Sequence, residues 1–250
     1  MLHSATDEGD VTAKHRPLGW SSRDGINWTE TKPDIADDRL LSRMVWQQDE
    51  WLGLCQDSRT QVVGRMSLVS SSDGRTFKEL VPEVLTGNGY YGPSIVFTKK
   101  DGGFCLAAHS QTPDEPRRFT VLGSAEPPYR KWKWKELEMV LVGPTMIQLP
   151  DGRLLVAGRK TDHTTFPDLS QITLWSLNPE SAKFTELLVL RSGTDLFTCG
   201  SPGLAWHDGH VWISYNSSHE LNHSKSDTVI YLAKVRITEA ADGEERRTKR

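Results

Sequence analysis

The sequence predicts an all-β protein: a β-propeller of four-stranded antiparallel blades, incomplete at its N-terminal end. Two observations carry this. An apolar run, an acidic turn and a second apolar run recur four times, with turn aspartates at 49, 101, 151 and 208, at intervals of 52, 50 and 57 residues. That spacing is the length of one blade. The segment Ser22-Arg23-Asp24-Gly25-Ile26-Asn27-Trp28 also returns as Ser71-Ser72-Asp73-Gly74-Arg75-Thr76-Phe77, 49 residues later. A β-sandwich has strands of similar length but leaves a repeated unit of about 50 residues unexplained.

Each unit can be justified in chain order. Residues 17–21 and 26–29 read as two strands, the outer half of a blade. A hairpin over 43–54 follows, then strands at 62–69 and 77–81. The next blade has 94–97 and 104–107 around Asp101-Gly102, then 118–122 and 132–137. A third has 145–149 and 154–157 around Asp151-Gly152, then 172–175 and 184–190. The last has 203–206 and 211–214 around Asp208-Gly209, then 228–235, and lacks its outer strand. Asp-Gly between short apolar runs marks a tight hairpin, because the turn needs positive φ and glycine adopts it freely. The domain plan is therefore an irregular or disordered segment over 1–16, one propeller domain over 17–236, and a disordered charged tail over 237–250.

Composition narrows the function classes. The chain is 36% hydrophobic and 25% charged with a net charge of -3, enough apolar content for a packed core. Lysine and arginine are scattered, so no basic stripe offers itself to a nucleic acid backbone. No run reaches the ~18 apolar residues of a membrane-spanning helix. The first residues lack a basic stretch followed by an apolar one, so no signal peptide is visible and at face value the chain is cytoplasmic. Nine tryptophans read mostly as packing between sheets. Cys55, Cys105 and Cys199 form no even framework and read as buried thiols. No His/Cys cluster has metal-ligand spacing and no glycine-rich phosphate loop occurs, so neither a metal nor a cofactor is expected.

The pattern Ser-x-Asp-Gly-x-x-aromatic has a structural reading: the aspartate bonds turn N–H groups, glycine takes positive φ, and the aromatic ring packs between sheets. It resembles the Asp-box of the bacterial neuraminidase repeat, through Ser22, Asp24, Gly25 and Trp28 and through Ser71, Asp73, Gly74 and Phe77. The likeness extends over about residues 17–236, to the sialidase-like six-bladed propellers, in Pro127-Pro128-Tyr129-Arg130-Lys131-Trp132, Leu149-Pro150-Asp151-Gly152-Arg153-Leu154 and Pro202-Gly203-Leu204-Ala205-Trp206. Relative to that family the chain lacks the first blade and half of the second. The resemblance implies a glycan-active protein acting on or binding sialic-acid-type sugars, and a secreted or periplasmic location.

In a propeller the functional rim is the face where the inner strands begin. There the sequence gathers Arg43, Tyr90, Tyr91, His109, Arg159, Lys160, Ser201, His219 and Glu220. Arg43, Arg159 and Tyr90 are the candidates for gripping a sugar; Tyr91, His219 and Glu220 are the weaker candidates for catalysis. Asp37, Asp38 and Asp195 read as solvated loop carboxylates. Sialidases use arginines for the substrate carboxylate and a Tyr nucleophile activated by Glu. At the matching positions this chain has Ser201-Pro202-Gly203 and Tyr90-Tyr91-Gly92-Pro93, so the nucleophile and its carboxylate are both replaced. Hydrolysis is therefore expected to be weakened or lost, and a non-catalytic carbohydrate- or protein-binding module is the alternative. An open ring also predicts self-association through unpaired sheet edges.

Overall fold

A computed structural model of the chain describes residues 2–5, 16–35, 39–57, 65–100, 102–110, 112–162, 169–193, 201–217 and 229–237. These form an all-β propeller of five antiparallel sheets, without a helix among the described residues. The first sheet is β1 (Leu2–Ala5), β2 (Arg16–Ser21) and β3 (Thr29–Thr31). The second is β4 (Arg39–Gln47), β5 (Glu50–Asp57), β6 (Arg65–Ser71) and β7 (Lys78–Thr86). The third is β8 (Tyr90–Phe97), β9 (Gly103–His109), β10 (Phe119–Ala125) and β11 (Lys133–Leu137). The fourth is β12 (Leu141–Gln148), β13 (Leu154–Asp162), β14 (Leu169–Asn178) and β15 (Lys183–Gly193). The fifth is β16 (Gly203–His207), β17 (His210–Ser217) and β18 (Val229–Arg236). Consecutive sheets meet through β1 and β4, β4 and β8, β8 and β12, and β12 and β16.

Period-two alternation explains the stacking. In the third sheet Ile95, Phe97, Cys105, Ala107 and Val121 face a core shared with Leu54, Leu68 and Val84 of the second sheet. Their neighbours Val96, Leu106 and Leu122 face the other way, onto Met146, Val156 and Trp175 of the fourth. A sheet buried on both faces needs apolar residues at odd and even positions, hence continuous runs rather than alternating ones. Leu155, Ala157 and Leu174 then pack with Leu204, Val211 and Ile213 between the fourth and fifth sheets.

The hairpin turns join the first two strands of a sheet at the end opposite the rim. Asp208 and Gly209 have φ of 48° and 71°, as a two-residue turn of this kind requires. Where the first unit has no glycine, Gln48 and Asp49 take φ of 48° and 66° instead.

Several expectations change. Leu2–Ala5, expected to be irregular, pairs with β2 from Leu2↔Gly19 to Ala5↔Arg16, so the first sheet has three strands rather than an outer pair. Residues 26–28, expected to begin a strand, belong to the turn, and β3 starts at Thr29. Trp175 is the one fully buried tryptophan, at 2% exposure, and Trp132, Trp134 and Trp206 lie against core clusters. Trp28, Trp46 and Trp51 are exposed, so inter-sheet packing claims fewer indoles than expected. Cys55 and Cys105 are buried free thiols. Cys199 and the tail from 238 onward lie outside the described residues.

Candidate functional site

The two repeated Ser-x-Asp-Gly turns stand at the end opposite the rim and are satisfied from within. One carboxylate oxygen of Asp73 accepts the N–H groups of Arg75 and Thr76 at 2.8 and 2.7 Å, while Ser71 Oγ accepts the N–H of Gly74 at 2.9 Å. Asp24 accepts from Ile26 and Asn27 at 2.9 and 2.8 Å, and from the Asn27 side-chain amide at 2.7 Å. These bonds stabilise the charged form, holding Asp73 down at about 2 and Asp24 lower still. Gly25 and Gly74 supply φ of 73° and 69°. Trp28 departs from the expected packing: it is 51% exposed, and its indole N–H folds back to donate to the Gly25 carbonyl at 3.1 Å. Phe77 is half-buried. Neither turn has spare chemistry.

The rim is built by a bulge in each of the inner strands β4, β8 and β12. Register slips between Leu41 and Met44, between Tyr91 and Ser94, and between Val142 and Thr145. The displaced pairs are Ser42-Arg43, Gly92-Pro93 and Gly143-Pro144, and Ser201-Pro202 occupies the same place ahead of β16. A bulge re-aims side chains out of the ladder. Gly92 and Gly143 both take φ of 57°. A Cβ on Gly92 would touch Gly143 Cα in ordinary contact at 3.9 Å, whereas the space above Gly143 is closed by Ser201 Oγ. These contacts link the third, fourth and fifth sheets at one level.

Arg43 stands where the other repeats have proline. Its Nη2 donates to the Leu204 carbonyl of β16 at 3.0 Å, tying the second sheet to the fifth. Burial lowers its pKa, and no carboxylate among the described residues opposes that effect. Tyr91 is half-buried; burial pushes its phenol up, and the charges of Arg159 and then Arg118 pull it back. Among the described residues, the charges bearing on Tyr91 are thus positive. Arg159 lies on β13 opposite Val142 of the bulge, with Lys160 beside it opposite Leu141.

Tyr90 does not join this group. Adjacent strand residues point to opposite faces, and Tyr90 packs edge-on against His109 and Phe119 at centroid distances of 4.9 and 6.3 Å. His109 is 3% exposed and stacks on Phe119 at 4.3 Å, so it too belongs to the core. Tyr90 is itself only half-buried, packed against that cluster from its edge. His219, Glu220, Asp37, Asp38 and Asp195 lie outside the described residues. No group of three metal-ligating side chains occurs among the described residues. Arg118 was missed by the sequence reading; its signal is its place immediately before β10, at the same end as Tyr91.

No family model and no curated protein matches the sequence. Solved structures do match. The endo-arabinase from Bacteroides thetaiotaomicron is 14% identical, covers 98% of this chain and 92% of its own, and has a TM-score of 0.58. The exo-β-1,3-galactanase from Phanerochaete chrysosporium, solved with β-1,3-galactotriose, is 11% identical with a TM-score of 0.54. It covers 71% of this chain and 43% of its own, and the other galactan-active structures are spanned to a similar extent, less than half their length. The xylan β-1,4-xylosidase from Bacillus halodurans is 14% identical over 80% of this chain and 40% of its own, with a TM-score of 0.52. The fold is thus one shared with propeller glycosidases, those of glycoside hydrolase family 43 among them, and none of the three named is a sialidase.

Proposed function

We propose that this chain is a glycan-binding propeller that takes an acidic sugar of the sialic-acid type at its rim, with hydrolysis weak or lost. The observation that carries this reading is the cationic surround of Tyr91. Arg159 and Arg118 both bear on its phenol, and Arg43 stands at the adjoining bulge. Guanidinium groups bind a carboxylate through paired N–H donors, so a carboxylated sugar fits better than a neutral one. A Tyr nucleophile needs a base to take its proton. Burial holds the Tyr91 proton on, and among the described residues no carboxylate acts on it. Ser201, at the position where the sialidase resemblance expects Tyr, supports the loss of turnover.

The experiment pairs binding with turnover. Titration calorimetry is expected to detect N-acetylneuraminic acid and not galactose or arabinose, with Arg159→Ala weakening the acid at least tenfold. A fluorogenic sialoside is expected to be cleaved slowly or not at all. Robust cleavage abolished by Arg43→Ala and Arg159→Ala defeats the claim of lost hydrolysis. Equal binding of arabinose or galactose favours a second reading, a neutral-glycan site, which the full-length likeness to the endo-arabinase fold supports.

A further inference from the structure

We infer an oxyanion-binding site outside the rim group, at the same end of the fourth sheet, built by Arg191, Ser170 and Thr161. Its anion-gripping groups include none of Arg43, Tyr91, Arg118 or Arg159, although Arg159 stands in the row beside it, so it does not rest on the function proposed above.

Two cross-strand rows define it. Thr161, Ser170 and Gly193 are Cα partners across β13, β14 and β15, and Arg159, Ile172 and Arg191 form the next row. Alternation places both rows on the face shared with Ala157 and Leu174, the face toward the fifth sheet. The hydroxyls of the first row are buried: Ser170 is 1% exposed and Thr161 6%. Neither Ser170 Oγ nor Thr161 Oγ1 has a hydrogen-bond partner among the described residues, although the Thr161 N–H is satisfied by the Val140 carbonyl. Buried hydroxyls are normally paired, so two adjacent ones left open point to a group that completes them.

Arg191 supplies the charge. Its guanidinium leaves its own row and lies over Gly193, with Nη2 3.6 Å and Cζ 4.0 Å from the point a Cβ would occupy. Glycine thus leaves the guanidinium room to lie along the hydroxyl row. Arg191 Nε is buried and has no acceptor among the described residues. Nε and Nη2 form the side edge of a guanidinium, which grips two oxygens of one anion in parallel. From Gly193 the Ser170 hydroxyl is one cross-strand step away, about 5 Å, and the Thr161 hydroxyl two steps, about 10 Å, so an anion on that edge meets Ser170 directly and Thr161 on its far side. The donor set of a guanidinium edge and two hydroxyls fits a carboxylate, sulfate or phosphate group. Its source is either a free inorganic ion or an acidic substituent on a glycan.

The test is calorimetry and thermal unfolding of the full chain with sodium sulfate, sodium phosphate and a glucuronate disaccharide, against sodium chloride at equal ionic strength. Saturable binding is expected, at least tenfold weaker in Arg191→Met and partly kept in Arg191→Lys. The double variant Thr161→Val, Ser170→Ala is expected to remain folded, with a higher Tm in anion-free buffer and weaker anion binding. Tighter binding of the disaccharide than of either ion supports the site with a glycan as its source; the reverse supports it with a free ion. A non-saturating rise in Tm shared by wild type and Arg191→Met is the general effect of excluded salts and overturns the site. So does unchanged affinity in the double variant.

Discussion

The two ends of the propeller use the same backbone devices for opposite ends. At the hairpin end each tight turn closes on itself: Asp24 and Asp73 bond N–H groups two and three residues further along. At the rim the partners come from other sheets. Arg43 reaches Leu204, Tyr91 feels Arg159, and Gly143 meets Ser201. Glycine shows the difference most sharply. Gly152 and Gly143 both have positive φ, 94° and 57°, but nothing lies within 4 Å of the Cβ position at Gly152, whereas Gly143 is closed by its neighbour. Short-range turns give stability that tolerates local change, and inter-sheet contacts make the rim a unit.

That contrast can be broken in four ways. Gly143→Ala combines a left-handed backbone with collision against Ser201 and is expected to destabilise by about 3 kcal/mol. Gly152→Ala meets only the backbone cost, about 1 kcal/mol. Chemical denaturation of the two variants checks this, and equal losses erase the distinction between the ends. Arg118→Ala is expected to weaken the acidic sugar about tenfold, equivalent to about 1.4 kcal/mol, with Tm unchanged. Titration against wild type reads it, and unchanged affinity removes Arg118 from the rim site.

Asp73→Ala strips two backbone N–H groups of their acceptor and is expected to lower Tm by on the order of 5 °C without touching sugar binding. A scanning melt together with a binding titration separates the two ends. The smallest effect is on pH. Asp73 has a folded pKa of about 2, below its unfolded value, so its contribution is present above the unfolded pKa and lost as pH falls through the folded one. Tm is expected to decline between about pH 4 and pH 2, and less steeply in Asp73→Ala. Parallel declines in the two proteins dissociate that window from Asp73.

The blade repeat was legible because its signals are local. Asp-Gly turns and the Ser-x-Asp-Gly pattern act over a few residues, so spacing alone located five sheets' worth of strands and the end that carries the turns. Which side chains face the rim was less legible. Tyr90 and Tyr91 read alike in the sequence, but a bulge after Tyr91 and the alternation of the strand set one against His109 and Phe119 and the other toward Arg159. Arg43 was found through its place at the start of an inner run; Arg118 was not, because its approach to Tyr91 depends on the pairing of β8 and β10 with β9 within one sheet. Leu2–Ala5 was missed for a related reason: its partner strand begins at Arg16, and no turn motif between them announces the pairing. Trp28 was misplaced because an indole that bonds its own turn carbonyl has a polar reason to stay outside.

The inner bulges carry a mechanical consequence. Gly92 points at Gly143, and Gly143 points at Ser201, each toward the following sheet, so the contacts run one way around the axis like overlapping shutter leaves. An added carbon at Gly143 would collide with Ser201 of the next leaf, whereas one at Gly92 would only touch Gly143. The spacing of the fourth and fifth sheets at the rim is therefore gauged by an atom that glycine leaves out.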